Sequence, residues 1–144
     1  MRTNKYNLAR FKKAQEKDYP RALAEIKKGK KVSHWMWYIF PQLTDLGYSN
    51  MAKYYGIDDL KMARAYVKDP VLGPRLKEIS MALLNLRTND PEAVLGPIDA
   101  MKLQSSMTLF EAADPEAEVY SRVLEKYYGG KRDHLTTLIL EERR

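Results

Sequence analysis

Apolar positions recur every three to four residues along most of the chain, and residues that start or stop helices stand between the runs. Asn7 is placed to cap a helix running to Lys17, with Leu8, Phe11, Ala14 and Gln15 on one side. A second helix is expected between Pro20 and Gly29, with Leu23 and Ile26 on its apolar side. Ser49 is the expected cap of a short helix ending at Gly56, with Met51, Ala52 and Tyr55 facing inward. Asp58 is the expected cap of the next, with Leu60, Ala63, Ala65 and Tyr66 inside.

Asp-Pro occurs three times, at Asp69-Pro70, Asp90-Pro91 and Asp114-Pro115. A capping carboxylate followed by a first-turn proline is a start signal, because proline lacks an N–H that would have no helical partner there. Pro74 would clash inside a helix begun at Asp69, so the long helix is expected from about Gly73-Pro74 to about Arg87. Ala100–Ala113 follows Asp99 and carries Leu103, Met107 and Phe110 on one side. The helix after Asp114 should run to Tyr128 and stop at Gly129-Gly130, with Val119, Val123, Leu124 and Tyr127 inside. Asp133 should cap the last helix, with Leu135, Leu138 and Ile139 inside. Only Trp35–Phe40 is compatible with a strand, and six consecutive apolar residues fit a short buried helix equally well. The pattern predicts an all-α protein of about eight helices, and 144 residues fit a single domain spanning 1–144.

Charge sharpens this picture at one end. Residues 1–33 hold eleven Lys and Arg against three acidic residues, a net +8, whereas the whole chain is +6 and the remainder therefore −2. A basic face of this kind is either a solvated surface or a docking site for an acidic partner. Nucleic acid is disfavoured by the charge of residues 34–144 and by the absence of a nucleic-acid-binding motif. No cysteine is present, which excludes disulfides, thiolate metal sites and a cysteine nucleophile. Two histidines are too few for a histidine-rich metal site, and no carboxylate cluster has ligand spacing, so no metal is expected. The sequence leaves any cofactor unidentified. No apolar run approaches the roughly 18 residues of a membrane helix, and no secretory signal is visible, so a cytoplasmic protein with no membrane partner is expected.

Three blocks then stand out: SHWMWYIFPQL from Ser33, ARAYV followed by PVLGPRL within Ala63–Leu76, and KLQSSMTLF at Lys102–Phe110. Together with YNLARF at Tyr6–Phe11 and KYYGGK at Lys126–Lys131 they resemble domain-of-unknown-function family 1810, some members of which carry a calpastatin label. Calpastatin repeats are disordered and rich in acidic residues, unlike this basic, apolar-rich chain. The resemblance implies a small all-α domain with armadillo-like helix stacking and no established activity.

The polar residues inside these blocks are the candidates for chemistry. Both tryptophans, Trp35 and Trp37, lie in the first block with His34 and Gln42. Such rings form core, or wall a pocket where a base or sugar stacks. Lys102 and Ser106 share a helix face, with Ser105 beside them and Asp99 one turn earlier. The Ser-Lys nucleophile pattern has serine three residues before lysine, the reverse of this order, so a phosphate-binding lysine is the better chemical reading. Arg75 begins a helix, where a cation faces the positive end of the dipole and an anionic partner is expected. The sequence thus leads to a pocket for a small anionic or nucleotide-like ligand, lined by His34, Trp35, Trp37, Gln42, Arg75, Lys102, Ser105 and Ser106. The alternative is a protein-interaction module whose basic N-terminal face docks an acidic partner.

Overall fold

Nine α-helices occur among residues 6–142, the part that the computed structural model describes. They are α1 (Ala9–Lys27), α2 (Met36–Ile39), α3 (Asn50–Tyr54), α4 (Leu60–Lys68), α5 (Leu72–Leu84), α6 (Pro91–Leu95), α7 (Pro97–Ala113), α8 (Glu118–Tyr128) and α9 (His134–Glu142). No strand forms among the described residues. An isolated parallel bridge joins Leu43 and Ile57 beside a single 3-10 turn, Thr44–Leu46. Arg2 and Lys5 of the basic segment lie outside the described residues.

The two helices expected before Gly29 are one. Pro20 lies inside α1, yet Phe11, Gln15, Tyr19, Ala22 and Ile26 form an unbroken buried face across it. Tertiary packing of that face outweighs the local cost of a proline, about 3 kcal/mol. Asn7 does not cap α1; it has a left-handed backbone (φ 49°), and Leu8 occupies the cap position. The cap of α4 is Asp59 rather than Asp58: Asp59 accepts from the Met62 amide at 2.8 Å, while Asp58 accepts from the Thr44 hydroxyl.

The three Asp-Pro pairs act differently. Asp90 caps α6 as expected, accepting from the Glu92 and Ala93 amides. Asp69 accepts from Val71 and Leu72, so a turn precedes α5, which ends at Leu84. Asp114 closes α7, and α8 begins only at Glu118. On α9 the buried residue is Thr136, with Ile139 and Leu140 half-buried, while Leu135 and Leu138 are exposed; the inward face is turned by about one residue from that expected. Met51 of α3 is likewise exposed.

The core is threaded by aromatic rings. Phe11 of α1 meets Tyr66 of α4 edge-on at 5.3 Å, Tyr66 meets Phe110 of α7 at 5.2 Å, and Phe110 meets Tyr120 of α8 at 6.1 Å. All four are fully buried, each stabilising the fold by roughly 1.5–3 kcal/mol. The longest run of buried residues is on α7, which packs against α4, α6, α8 and α9.

Candidate functional site

The aromatic block is held in place by a carboxylate that the motif does not contain. Glu25 of α1 accepts from the Val32 amide (2.7 Å), the Ser33 amide (2.9 Å) and hydroxyl (2.6 Å), and the Trp35 indole N–H (2.9 Å). Burial alone would raise this carboxyl, but the Ser33, Val32 and Trp35 donors outweigh it and hold it down to about 2. Trp35 is therefore a core residue with its one polar atom satisfied. Tyr38 donates to Asp18, and its backbone carbonyl accepts from Gln15 Nε2 at 2.7 Å. Burial, then the Asp18 hydrogen bond, pushes the Tyr38 hydroxyl pKa up.

Of the eight candidate residues, three come together. Trp37, Gln42 and Lys102 line a hollow with Met36, Phe40, Ala52 and Tyr55. The Lys102 ammonium stands 5.4 Å from the centroid of the Trp37 ring and 3.7 Å from Asp99. Asp99 also holds Lys31 at 2.9 Å, and Lys31 stands 5.0 Å from the Trp35 ring centroid. The hollow measures only about 10 Å³, room for at most about one water molecule. A nucleotide does not fit it.

The other candidates lie elsewhere. His34 is exposed, and its carbonyl accepts from the Tyr38 hydroxyl at 3.3 Å. Trp35 is sealed in the core. The side chains that meet Arg75 are neutral: its guanidinium donates to Gln15 Oε1 at 3.4 Å and lies 5.3 Å from the Tyr19 ring centroid. Ser105 donates to the Met101 carbonyl, and the Ser106 hydroxyl is buried with no hydrogen-bond partner, so neither serine bonds Lys102. The polar atoms of the motifs serve mainly internal packing.

A much larger concavity lies between α4, α7 and α9, an open groove of about 1030 Å³. Its third wall is fixed by the loop after α8. Gln104 donates to the Lys131 carbonyl (2.9 Å), Arg132 is paired with Glu111, and the Asp133 amide donates to Thr108 (2.8 Å). Lys61 and Arg64 line the α4 side, Glu141 the α9 side, and Leu60, Ala112 and Leu140 supply apolar surface. Of the motif residues, Arg64 and Thr108 line this groove, though neither is among the eight candidates. A trace of it in the sequence is the set of polar residues Gln104, Thr108 and Glu111 along α7 at helical spacing.

A helical protein with an aromatic core is the class defined by the described residues. The chain belongs to a family of proteins of unknown function, DUF1810, whose profile matches residues 5–140. It is also similar to a conserved hypothetical protein, Rv1873 from Mycobacterium tuberculosis, known from a crystal structure: 40% identity, TM-score 0.94, over 96% of this chain and 99% of that one. No curated protein matches the chain.

Proposed function

We propose that the protein is an interaction module whose outer α1 face docks an acidic segment of a protein partner. The observation that supports this reading is the division of labour among the basic residues of α1. Those turned inward are committed: Lys12 pairs with Asp69 at 2.7 Å, and Arg10 donates to the Tyr54 and Asn7 carbonyls. Those turned outward, Lys13, Lys17, Arg21, Lys27 and Lys28, are exposed and form no salt bridge among the described residues. At 100° per residue they fall within one third of the helix circumference, along about 22 Å of its length. Glu16 is the only exposed acid among them. Lys13, Lys17 and Arg21 at one-turn spacing, with Lys27 and Lys28 about two turns further on, form a basic stripe that suits an acidic peptide in extended or helical form.

The test is binding of a fluorescent oligoglutamate peptide, measured by anisotropy at physiological salt. Binding that falls with salt and vanishes in the Lys13→Glu, Lys17→Glu, Lys28→Glu triple variant supports the reading. These side chains are solvated, so the variant should keep its helical circular dichroism. Absence of binding sinks it, and so does preference for a DNA duplex, which would make the face a phosphate-backbone contact.

A small anion at the Trp37–Lys102 hollow is the second reading. In its favour is the convergence of Trp37, Gln42 and Lys102; against it is a volume that requires the Trp37 ring to swing outward. A saturable change in tryptophan emission on adding phosphate compounds, absent in Lys102→Ala, is the result it requires.

A further inference from the structure

The groove between α4, α7 and α9 carries an inference independent of the α1 face. We propose that it binds a small anionic molecule that has an apolar or hydroxyl-bearing body and no aromatic ring. The argument starts from which of its charges are already committed. Arg132 donates to both carboxylate oxygens of Glu111 and to the Gly130 carbonyl, so that pair is closed on itself. Asp59 accepts from the Met62 amide as the cap of α4, where the helix dipole stabilises its charge. What remains is Lys61 and Arg64, exposed and without hydrogen bonds or ion pairs among the described residues, against the single carboxylate of Glu141.

Lys61 and Arg64 are three residues apart on α4, so their side chains leave the same face of the helix. Two adjacent cations held in no ion pair among the described residues can receive an anion, and Arg64 offers a two-pronged donor to carboxylate or phosphate. Glu141 on the opposite side is exposed and can accept from a ligand hydroxyl. Leu60, Ala112 and Leu140 give the body an apolar surface to rest on. No aromatic side chain lines the groove, so a nucleobase would find no stacking platform, which separates this site from the nucleotide pocket expected at the tryptophans. The volume of about 1030 Å³ lies at the upper end of small-molecule sites. Phosphate esters and carboxylates share the anionic chemistry, and the experiment separates them.

Isothermal titration calorimetry with glucose 6-phosphate, citrate, inorganic phosphate and glucose is the test, followed by backbone-amide NMR shifts. Saturable binding of glucose 6-phosphate or citrate is expected, with glucose silent. The stronger of the two anions identifies the ester or the carboxylate as the preferred group. Amides of residues 59–64, 108–112 and 137–141 should shift. Arg64→Ala and Lys61→Ala should each weaken binding roughly 10- to 100-fold, the effect of losing one charge-assisted hydrogen bond. Lys17→Ala on α1 should leave it unchanged. The proposal is overturned if neither organic anion binds, if binding survives the Lys61→Ala, Arg64→Ala double variant, or if the shifted amides lie on α1.

Discussion

Removing the charge of Glu25 while keeping its shape should unfasten the aromatic block from α1. Glu25→Gln leaves one carbonyl oxygen where two carboxylate oxygens served four donors, and it turns an NH₂ toward at least one of them. The Trp35 indole N–H is the donor with least access to water, since Trp35 is fully buried, and leaving it unmatched costs about 1–3 kcal/mol. The lost charge adds a second contribution. A fall from an ordinary 4.5 to about 2 corresponds to about 3 kcal/mol at 1.36 kcal/mol per pH unit. Glu25 is partly exposed to water, which screens it, so about 1.5 kcal/mol is the expected share. The total at pH 7 is about 2.5–4.5 kcal/mol.

The pH dependence isolates the charge. The folded-state pKa lies below the unfolded one, so this stabilisation is complete above pH 4.5 and is lost as pH falls toward 2. Urea unfolding followed by tryptophan emission reports on the right place, because both tryptophans lie in the block that Glu25 holds. The stability gap between wild type and Glu25→Gln should narrow by about 1 kcal/mol between pH 7 and pH 2.5, since a carboxyl with a folded pKa of about 2 keeps roughly a quarter of its contribution there. Other carboxylates, such as Asp69, titrate alike in both proteins and cancel in the difference. A gap of the same size at both pH values would refute the charge argument. No gap at pH 7 would refute the anchoring role altogether.

The two tryptophans should behave unequally. Trp35→Ala is expected to cost about 3–5 kcal/mol in urea unfolding and Trp37→Ala, half-buried beneath Lys102, about half as much. Gly73→Ala should destabilise by about 1–3 kcal/mol, because a Cβ there would overlap the Val67 carbonyl, and a normal unfolding midpoint would contradict that close approach. Asp69→Ala should cost about 1–2 kcal/mol, since it removes the acceptor of two amides at the start of α5 and the partner of Lys12; an unchanged thermal midpoint would show that the cap is dispensable.

The helical class and most helix positions were legible because they rest on local signals, the 3.6-residue period and the caps at Ser49, Asp90 and Asp133. Misreadings arose where tertiary contacts overrule such signals. Pro20 reads as a helix start, yet the buried face from Phe11 to Ile26 carries α1 through it. Asp114-Pro115 reads like Asp90-Pro91, but Asp114 closes the preceding helix. Leu135 and Leu138 look like the core side of α9, whereas Thr108 holds the Asp133 amide and thereby sets a rotation that buries Thr136. For the candidate site, proximity of Trp37, Gln42 and Lys102 was anticipated, but the fullness of the space between them was not. Side-chain packing over distant positions determines that volume, and no spacing rule encodes it. Glu25 was missed for a similar reason: its partners lie seven to ten residues away across a turn.

Polar groups in the conspicuous motifs are turned inward, and this has a consequence for how function and stability divide across the chain. Ser33 and Trp35 bond Glu25, Gln15 bonds Tyr66 and the Tyr38 carbonyl, Gly73 lies against Val67, and Lys102 neighbours Asp99. Groups with spare bonding capacity stand on the outside: Lys13, Lys17 and Lys28 along α1 and Lys61 on α4 lie beyond the motifs, and Arg64 is the exposed residue of ARAYV. Substitutions should therefore sort into two sets. Changes at the buried motif residues move the unfolding midpoint, while changes at the exposed cations, Arg64 included, move binding and leave the midpoint within about 0.5 kcal/mol. Lys102 is where the division can fail: it lies in a motif, is half-buried, and contacts both an acid and a ring. If Lys102→Ala left stability untouched and abolished binding of a small anion, the Trp37–Lys102 hollow would be a site that opens on binding, and the exposed cations would revert to a solvated surface.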